Sequence, residues 1–417
     1  MNRTIGFWFW KIWTNTTHSN EHNRLNSQSL GVTLRLRLTA SKEAKDSPRE
    51  RRDSFIANLR RKRIDAAIVS DPRHVSYFTG YSTFWPRSTS LLIMTNAESY
   101  LFLGESRLEE ASMFDGQIHT FKDYELSRRM IAYGGFVAQE LSKFLKGKRI
   151  LKGSRRIGLE DWHMPYAYVQ AVANASPRIR FTGVTDLIMS FRKTKGADEL
   201  QYIRKATERL ELAYAVAKAH IAPGKTEVEL CRDVMSDSIL RHGPFEFSRG
   251  DTWVSGERTV GRKGPPTVRM LREGDGVILD LQAVANNYWA DGARTYVVGA
   301  PTQQQERIFN ILLEAKRNAE QFLRPGSACK DVYKAVAVTI EKAGFSGLFP
   351  HHAGHGIGLE DQEGPFFIPG SKERLEQGMV CTMEPGIYHP QVGGFRDEDI
   401  YIITGHGFEK ITTPSNL

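Results

Sequence analysis

One stretch in the C-terminal half of the chain constrains the fold more than any other. Two apolar, β-prone segments at 276–284 and 288–298 are separated by a few residues that include Asn286-Asn287. Asparagine tolerates the left-handed backbone of a tight turn, so the spacing predicts an antiparallel hairpin. Asp280 and Asp291 lie eleven positions apart, one on each strand, and the hairpin could aim both carboxylates at a common centre. Either aspartate alone is more commonly ion-paired or a capping residue.

Periodic patterns outside this hairpin indicate two kinds of organisation. Short apolar strands alternate with helical segments up to residue 190, which is typical of a small α/β domain. The elements predicted there are helices at 47–62, 107–113 and 128–145 and strands at 64–69, 90–94, 99–103 and 156–159. Later elements are helices at 198–221, 227–240, 303–323 and 328–342 and strands at 379–387 and 399–404. Helices on an antiparallel or mixed sheet make the predicted fold class α+β.

Chain length supports the same division. At 417 residues the chain exceeds the size at which one hydrophobic core keeps growing, so two domains are expected. A charged, glycine-containing stretch at 190–206 marks the junction. We predict an N-terminal extension at 1–45 that is disordered, an N-terminal domain at 46–190 and a C-terminal domain at 191–417.

The formal net charge of +9 is concentrated at the N-terminus. Residues 1–63 contain 14 Lys and Arg against 5 Asp and Glu, whereas the other 354 residues contain 43 of each sign. A surface for nucleic acid would need its positive charge on the folded part. The sequence therefore argues against a nucleic-acid partner.

The N-terminal extension does not match a secretory signal. Lys11 interrupts the apolar run at 6–13, and no small-residue cleavage site follows. The first 40 residues are rich in Ser, Thr, Asn and Arg, with Glu21 the one acid, which superficially suits an organelle transit peptide. We interpret the segment instead as a tail that does not belong to the fold.

Cysteine usage and hydropathy indicate where the protein resides. Cys231, Cys329 and Cys381 are widely spaced and form no CxxC motif, which argues against a disulfide framework and a cysteine-ligated zinc ion. No run of 18 apolar residues occurs, so a transmembrane helix is not supported. We expect a cytoplasmic protein with no membrane partner.

Three further residues of the C-terminal half suit a polar centre. His355 lies in the segment HHAGHGIGL, where flanking glycines would let an imidazole reach inward from a tight loop. Glu384 follows an apolar strand, and Glu398 stands where a loop enters a strand. A buried acid needs a partner. Each residue taken alone could still be structural.

The five residues together form an oxygen-rich set of metal ligands: Asp280, Asp291, His355, Glu384 and Glu398. Such a set suits a pair of Mn, Co, Zn or Fe ions better than one structural zinc ion. Two ions about 3.5–4 Å apart can activate a water molecule and polarise a carbonyl group. The residues therefore predict hydrolysis by a metal-activated water.

Four stretches of the C-terminal half carry the predicted ligands: LDLQAVANNYWADGART, HHAGHGIGLEDQEGP, MEPGIY and FRDED. They resemble the pita-bread metallopeptidases, which include prolidase, aminopeptidase P and methionine aminopeptidase, with creatinase as a relative. Two stretches nearer the N-terminus, IDAAIVSDPRHVSYFTGY and SFRKTKGADELQYIRKA, resemble the creatinase/prolidase N-terminal domain. The resemblance covers roughly residues 46–410. It implies a pita-bread catalytic domain preceded by a smaller α/β creatinase-like domain, as in the two-domain Xaa-Pro peptidases.

The same resemblance implies roles for single residues and for partners. Asp291 and Glu398 would bridge two divalent ions, and Asp280 would chelate one of them. His355 and Glu384 would bind the other ion, and Glu384 would also manage the proton of the attacking water. The family further implies manganese as the first choice of metal, short peptides as substrates and a homodimer.

The chain departs from the active peptidases at two accessory positions. Gln362 stands seven residues after His355, where these enzymes usually carry a histidine, and the stretch upstream of Asp280 contains none. His351 does match the third accessory histidine. A glutamine can donate a hydrogen bond to an oxyanion but cannot shuttle a proton. Positive charge near the substrate could come from Arg262 or Lys263.

Three functions are compatible with this pattern. The first is an Xaa-Pro aminopeptidase or dipeptidase that uses two metal ions and the catalytic residues Glu384, His351 and Gln362. The second keeps the metals but acts on a small zwitterionic molecule, as a non-peptidase hydrolase or lyase, because the two histidines are missing. The third is a catalytically silent binding protein, which five retained ligands argue against.

Overall fold

The computed structural model describes residues 47–81, 89–125, 130–131, 134–176, 178–243, 249–415 and 417. The predicted disordered extension at 1–45 lies outside the described residues. Within the described part, no helix combines the length and apolarity needed to cross a membrane.

The N-terminal part alternates strands and helices, as predicted. Its elements are α1 (Pro48–Arg61), β1 (Ala66–Val69), α2 (Pro72–Thr79), β2 (Ser90–Thr95), β3 (Ser99–Gly104), β4 (Gln117–Phe121), β5 (Tyr124–Glu125), β6 (Met130–Ile131), α3 (Gly134–Gly147), β7 (Arg156–Leu159), α4 (Tyr166–Ala175), β8 (Arg180–Gly183) and α5 (Thr185–Arg192). Six strands form a mixed sheet in the order β4-β3-β2-β1-β7-β8, in which β1 pairs antiparallel with β2 and parallel with β7.

The C-terminal part places helices against antiparallel sheets. Its elements are α6 (Ala197–His220), α7 (Glu227–His242), β9 (Arg249–Ser255), β10 (Gly276–Ala285), β11 (Tyr288–Val297), α8 (Gln303–Glu320), α9 (Cys329–Lys342), β12 (His355–Gly356), β13 (Glu363–Phe366), β14 (Val380–Met383), β15 (Gly386–His389), β16 (Gly393–Arg396), β17 (Asp399–Ile403) and β18 (Phe408–Lys410). The sheets run β11-β10-β9, β13-β12-β14-β17-β18 and β15-β16.

The long hairpin β10–β11 forms the centre of the C-terminal part. Helix α6 packs on both of its strands, and β11 in turn contacts β17 and β16. One hydrophobic cluster joins Phe55 of α1, Ile203 of α6 and Leu281 of β10. The N-terminal and C-terminal parts therefore share a continuous apolar core. The fold is the expected α+β arrangement.

Several predicted elements are wrong in detail. The helix predicted at 107–113 is two short 3₁₀ turns, Glu105–Arg107 and Glu109–Ala111. The helix predicted at 128–145 begins at Gly134, and helix α2 has no counterpart in the prediction. The strand predicted at 379–387 is interrupted after Met383, because Pro385 provides no backbone N–H for a sheet. Tertiary packing decides these boundaries rather than local periodicity.

Candidate metal centre

The β10–β11 hairpin brings three polar side chains to one face. Asn286 and Asn287 have φ values of 49° and 70°, the left-handed conformation of a two-residue turn. The resulting register pairs Gln282 with Asp291. Asp280 lies two positions before Gln282 and therefore shares the same face. The Gln282 side-chain amide donates to Asp280 Oδ1 at 3.1 Å and to Asp291 Oδ1 at 3.0 Å.

His355 reaches the same centre from the short strand β12. Its two glycine neighbours are required by close packing: a Cβ on Gly354 would lie 2.2 Å from Thr382 O, and one on Gly356 would lie 2.3 Å from Gly364 O. His355 Nδ1 lies 3.0 Å from Gly356 O and donates to it, which leaves the lone pair on Nε2. That nitrogen is buried and faces the acidic centre.

Two glutamates close the centre, Glu384 directly after β14 and Glu398 directly before β17. Backbone hydrogen bonds hold both, from Glu384 N to Ala353 O and from Glu398 N to Ala293 O, each at 2.9 Å. His355 Nε2 lies 3.5 Å from Glu384 Oε1 and 3.8 Å from Glu398 Oε1. Glu398 Oε1 accepts no hydrogen bond from the described residues, whereas Glu384 Oε1 lies 2.7 Å from His352 Nε2. Buried carboxylate oxygens of this kind require a cation or another donor.

The ionisation of the cluster also fits a site that binds cations. Burial raises the pKa of Asp280 to about 6, although Arg396 Nη2 lies 2.7 Å from Asp280 Oδ2 and opposes the rise. Burial, together with neighbouring carboxylates, raises the pKa values of Asp291 and Glu398 well above their usual range. Acids crowded in this way ionise together only when cations lie among them. The donor set therefore fits divalent ions.

The geometry groups the candidate ligands around His355. Asp291, His355 and Glu398 offer ligand atoms within 4.8 Å of one another, and so do His352, His355 and Glu384. Asp280 belongs to neither group in the described residues, and its carboxylate is joined to Asp291 through Gln282. All five residues predicted from the sequence nevertheless line one cavity of about 300 Å³.

The predicted catalytic residues His351 and Gln362 line the same cavity. His351 Nδ1 lies 2.7 Å from His352 O and donates to it, so Nε2 accepts from the Tyr388 hydroxyl at 2.9 Å. Burial lowers the pKa of His351 to about 4, and the ring is neutral at pH 7. Gln362 is exposed at the cavity wall. The cations Arg262 and Lys263 also line the cavity.

Sequence reasoning missed other residues that the fold places in the cavity. His352 Nε2 lies 2.7 Å from Glu384 Oε1, whose negative charge raises the pKa of that histidine against the effect of burial. Gln282, Asp251 and Asp361 line the cavity as well. His352 could have been predicted from its position next to His351, four residues or fewer before His355. The β10 periodicity could have indicated Gln282, because it lies two residues after Asp280.

Comparisons with known proteins agree with this arrangement. The model of metallopeptidase family M24 matches residues 201–405, and that of the creatinase/prolidase N-terminal domain matches residues 51–194. An uncharacterized peptidase of Staphylococcus aureus strain USA300 is 31% identical over 361 residues, which cover 86% of this chain and 97% of that protein.

Solved structures extend the similarity to nearly the whole described fold. The prolidase from Pyrococcus horikoshii OT3 has a TM-score of 0.76 and 28% identity, covering 88% of this chain and 99% of that chain. The Xaa-Pro dipeptidase from Bacillus anthracis has a TM-score of 0.77 and 26% identity, covering 89% and 99%. Fold and site together define a metallopeptidase with a pita-bread catalytic part. The chain belongs to metallopeptidase family M24 and carries the creatinase/prolidase N-terminal domain.

Proposed function

We propose that this metallopeptidase is a dinuclear Xaa-Pro dipeptidase or aminopeptidase that acts on short peptides. The observation that carries the proposal is the buried Glu398 Oε1, which accepts no hydrogen bond from the described residues and lies 3.8 Å from His355 Nε2. Similarity to a prolidase and to an Xaa-Pro dipeptidase supports the choice of peptide bond.

In this proposal the five predicted ligands divide between two ions. Asp291 and Glu398 would serve both ions, Asp280 would serve one of them, and His355 and Glu384 would serve the other. The donors are mainly carboxylate oxygens, which suits Mn²⁺, although Co²⁺, Zn²⁺ or Fe²⁺ fits the same set. When bound, the ions would lower the pKa of a water molecule and polarise the scissile carbonyl group.

The protein residues then manage protons and charge. Glu384 accepts the proton of the attacking water and delivers it to the proline nitrogen as the C–N bond breaks. His352, close to Glu384 Oε1, stabilises that carboxylate between the two steps. Gln362 donates an amide hydrogen bond to the developing oxyanion. His351 stays neutral and orients the Tyr388 hydroxyl at the cavity wall.

The family also suggests how the whole chain is organised, and we include this in the proposal. The N-terminal domain spans 46–190 and the catalytic domain 191–417, a division close to the gap between the two family matches. The enzyme is a cytoplasmic homodimer. Sedimentation equilibrium of the full chain at about twice the mass of one chain would support the dimer, and a monomer mass would contradict it.

A second function on the same metal centre is hydrolysis or elimination on a small zwitterionic molecule. The observation that favours it is the composition of the cavity wall, where Gln362 stands in place of an expected histidine and Lys263 lines the cavity. The Lys263 side chain is 61% exposed and its Nζ lies 3.3 Å from Asp251 Oδ2. A wall with both charges suits a small molecule that carries both.

Metal content and substrate preference test the proposal together. The purified chain is reconstituted with Mn²⁺, its metal content is measured, and it is assayed on Xaa-Pro dipeptides and Xaa-Pro-Yaa tripeptides. About two ions per chain with release of the N-terminal residue is the expected result. Two ions without turnover would refute the peptidase and favour the zwitterion hydrolase or lyase. Less than one ion per chain would refute the dinuclear centre.

A further inference from the structure

The segment from Leu359 to Glu363 borders the proposed substrate cavity, and its middle residues are more exposed than the residues on either side. Asp361 and Gln362 are exposed and line the cavity. The two glutamates that flank them face cationic side chains instead. The segment is thus anchored on both sides of the two residues that meet the cavity.

Glu360 is held by two arginines, one from the N-terminal domain and one from the junction between the two domains. Arg73 Nη1 at the start of α2 contacts Glu360 Oε1, and Arg192 Nη2 at the end of α5 lies 3.3 Å from Glu360 Oε2. The Glu360 side chain is 22% exposed, so this ion pair is partly shielded from solvent.

Glu363 is held more deeply. Its side chain is 2% exposed, Lys195 Nζ lies 2.8 Å from Oε1, and Arg192 Nη2 contacts Oε2. Arg192 also lies 2.8 Å from His74 Nε2, and His74 Nδ1 contacts Glu160 in the N-terminal sheet region. A buried network therefore connects α2 and α5 with the cavity segment.

The Arg73 side chain is held in its orientation toward Glu360 by Asp71. Asp71 caps α2 by accepting from Arg73 N at 2.9 Å, and it accepts from Arg73 Nη2 at 2.6 Å and Nε at 3.0 Å. This planar two-point contact fixes the guanidinium group. Its remaining nitrogen, Nη1, is then directed at Glu360.

We propose that Arg73 is a positioning residue: through Glu360 it holds Asp361 and Gln362 against the substrate cavity, so the N-terminal domain controls the substrate wall of its own chain. The ion pair orders the backbone of the segment, and order there reduces the entropy lost when a substrate binds. The effect belongs to substrate binding rather than to the metal centre, which Arg73 does not contact in the described structure.

Hydrogen–deuterium exchange of the metal-loaded full chain tests the proposal without any substrate. In Arg73→Gln, the amides of residues 358–363 should exchange roughly tenfold faster, as expected for loss of one charge-assisted hydrogen bond. Glu360→Gln should give at least the same increase, because it also loses the contact with Arg192, and the double variant should add little to Glu360→Gln alone, because Arg73 acts on the segment through Glu360. Metal content should stay at the wild-type level.

Arg204→Gln is the matched control. Arg204 has the same 42% side-chain exposure as Arg73, and it pairs with Glu409 at 2.6 Å on another face of the chain. Its loss should leave exchange at 358–363 unchanged. Unchanged exchange in Arg73→Gln, or fully additive effects in the double variant, would overturn the proposal.

The catalytic consequence rests on the proposed peptidase function. On an Xaa-Pro dipeptide, Arg73→Gln should raise KM roughly fivefold to tenfold while kcat changes less than about twofold, because ordering of the wall affects substrate binding. A lower Tm with unchanged KM would indicate a purely structural pair and overturn the positioning role. If the wild-type chain cleaves no Xaa-Pro peptide, the proposed function fails, and the exchange experiment alone decides the role of Arg73.

Discussion

At the scale of single residues, the acidic centre depends on which carboxylate atoms lack a protein partner. Asp280 forms an ion pair with Arg396, and Gln282 donates hydrogen bonds to both hairpin aspartates. Glu398 has no such neighbour at Oε1, although its side chain is 1% exposed. Glu398 is therefore the residue whose charge depends most on a bound cation.

Replacing Glu398 by Gln tests this dependence. The amide keeps the size of the side chain but loses the negative charge, so the metal content should fall below two ions per chain. Hydrolysis should fall more than about 100-fold, because loss of a residue that only supports a metal ligand already costs up to about 100-fold. Metal analysis and steady-state kinetics measure both, with the exposed α9 residue in Glu341→Gln as the control. Full metal content in Glu398→Gln would contradict the assignment.

Gln362 offers the opposite kind of test, a gain of function. Histidine at this position could both donate to an oxyanion and transfer a proton, whereas glutamine can only donate. We expect Gln362→His to raise peptidase activity about tenfold, measured as kcat/KM on an Xaa-Pro dipeptide. Gln303→His on the exposed start of α8 should have no effect. No gain in Gln362→His would mean that this position does not serve the chemistry proposed.

At the scale of elements, the start of β17 carries acidic side chains that face two opposite sides. Asp397 and Asp399 flank Glu398 and point away from the metal centre, toward Lys316 of α8 and Arg294 of β11. Burial alone would raise the pKa of Asp399, but Lys316 and Arg294 hold it below its usual range. Because side chains alternate along an extended chain, this anchoring directs Glu398 to the opposite side.

Lys316→Met should therefore destabilise the protein and disturb the centre indirectly. Lys316 is 3% exposed and Asp397 is fully buried, so removal of the cation leaves a buried charge and should cost about 3–5 kcal/mol of unfolding free energy. Mn²⁺ affinity measured by calorimetry should also fall.

Chemical denaturation measures the stability change, and Lys143→Met is the control. Lys143 is 72% exposed and pairs with Glu140 at 2.7 Å, so its loss should cost less than about 1 kcal/mol. Adding Asp397→Leu to Lys316→Met should recover part of the stability, because the carboxylate left without Lys316 is then absent, while Asp399 keeps Arg294 and Lys410. A Lys316→Met protein as stable as the wild type would contradict the anchoring of Asp397 and Asp399 by Lys316.

At the scale of the whole molecule, the acidic centre links folding to pH and to metal. Burial raises the pKa of Asp280 from 3.8 to about 6, and that of Asp291 further above its usual range. Such groups favour folding while protonated, so their contribution is complete below pH about 4 and is lost as the pH rises through 6. Glu384 has its pKa lowered to about 2, chiefly by the nearby histidines acting against burial, so its contribution is lost only under more acidic conditions.

Metal ions should therefore stabilise the protein more at pH 7.5 than at pH 5. The ligands must lose their protons to bind, and at pH 7.5 the ions also relieve the repulsion among the ionised acids. At an ion concentration about 100 times Kd, the stabilisation is about 2.7 kcal/mol, a shift of several degrees in Tm. Thermal unfolding with Mn²⁺ and with chelator at both pH values measures it, and an equal shift at the two pH values would contradict the linkage.

Local patterns were sufficient for much of the architecture. The Asn286-Asn287 turn and the apolar strands on either side predicted the β10–β11 hairpin, and the structure confirms it. The helix predicted from residue 198 begins at Ala197, with Gly196 as its cap and Glu199 accepting from Gly196 N at 2.9 Å. These features depend on residues near one another in sequence, so a short window contains their cause.

The sequence by itself determined the two-part α+β organisation and the five acid and histidine residues that line the cavity. Only the tertiary structure decided that His352 meets Glu384, that Gln282 joins the two hairpin aspartates, and that Arg73 reaches Glu360 across 287 positions of chain. Contacts between distant segments depend on the register of strands and the docking of helices. No local pattern records these, because the free energy of burying a charge is set by neighbours that packing alone brings together.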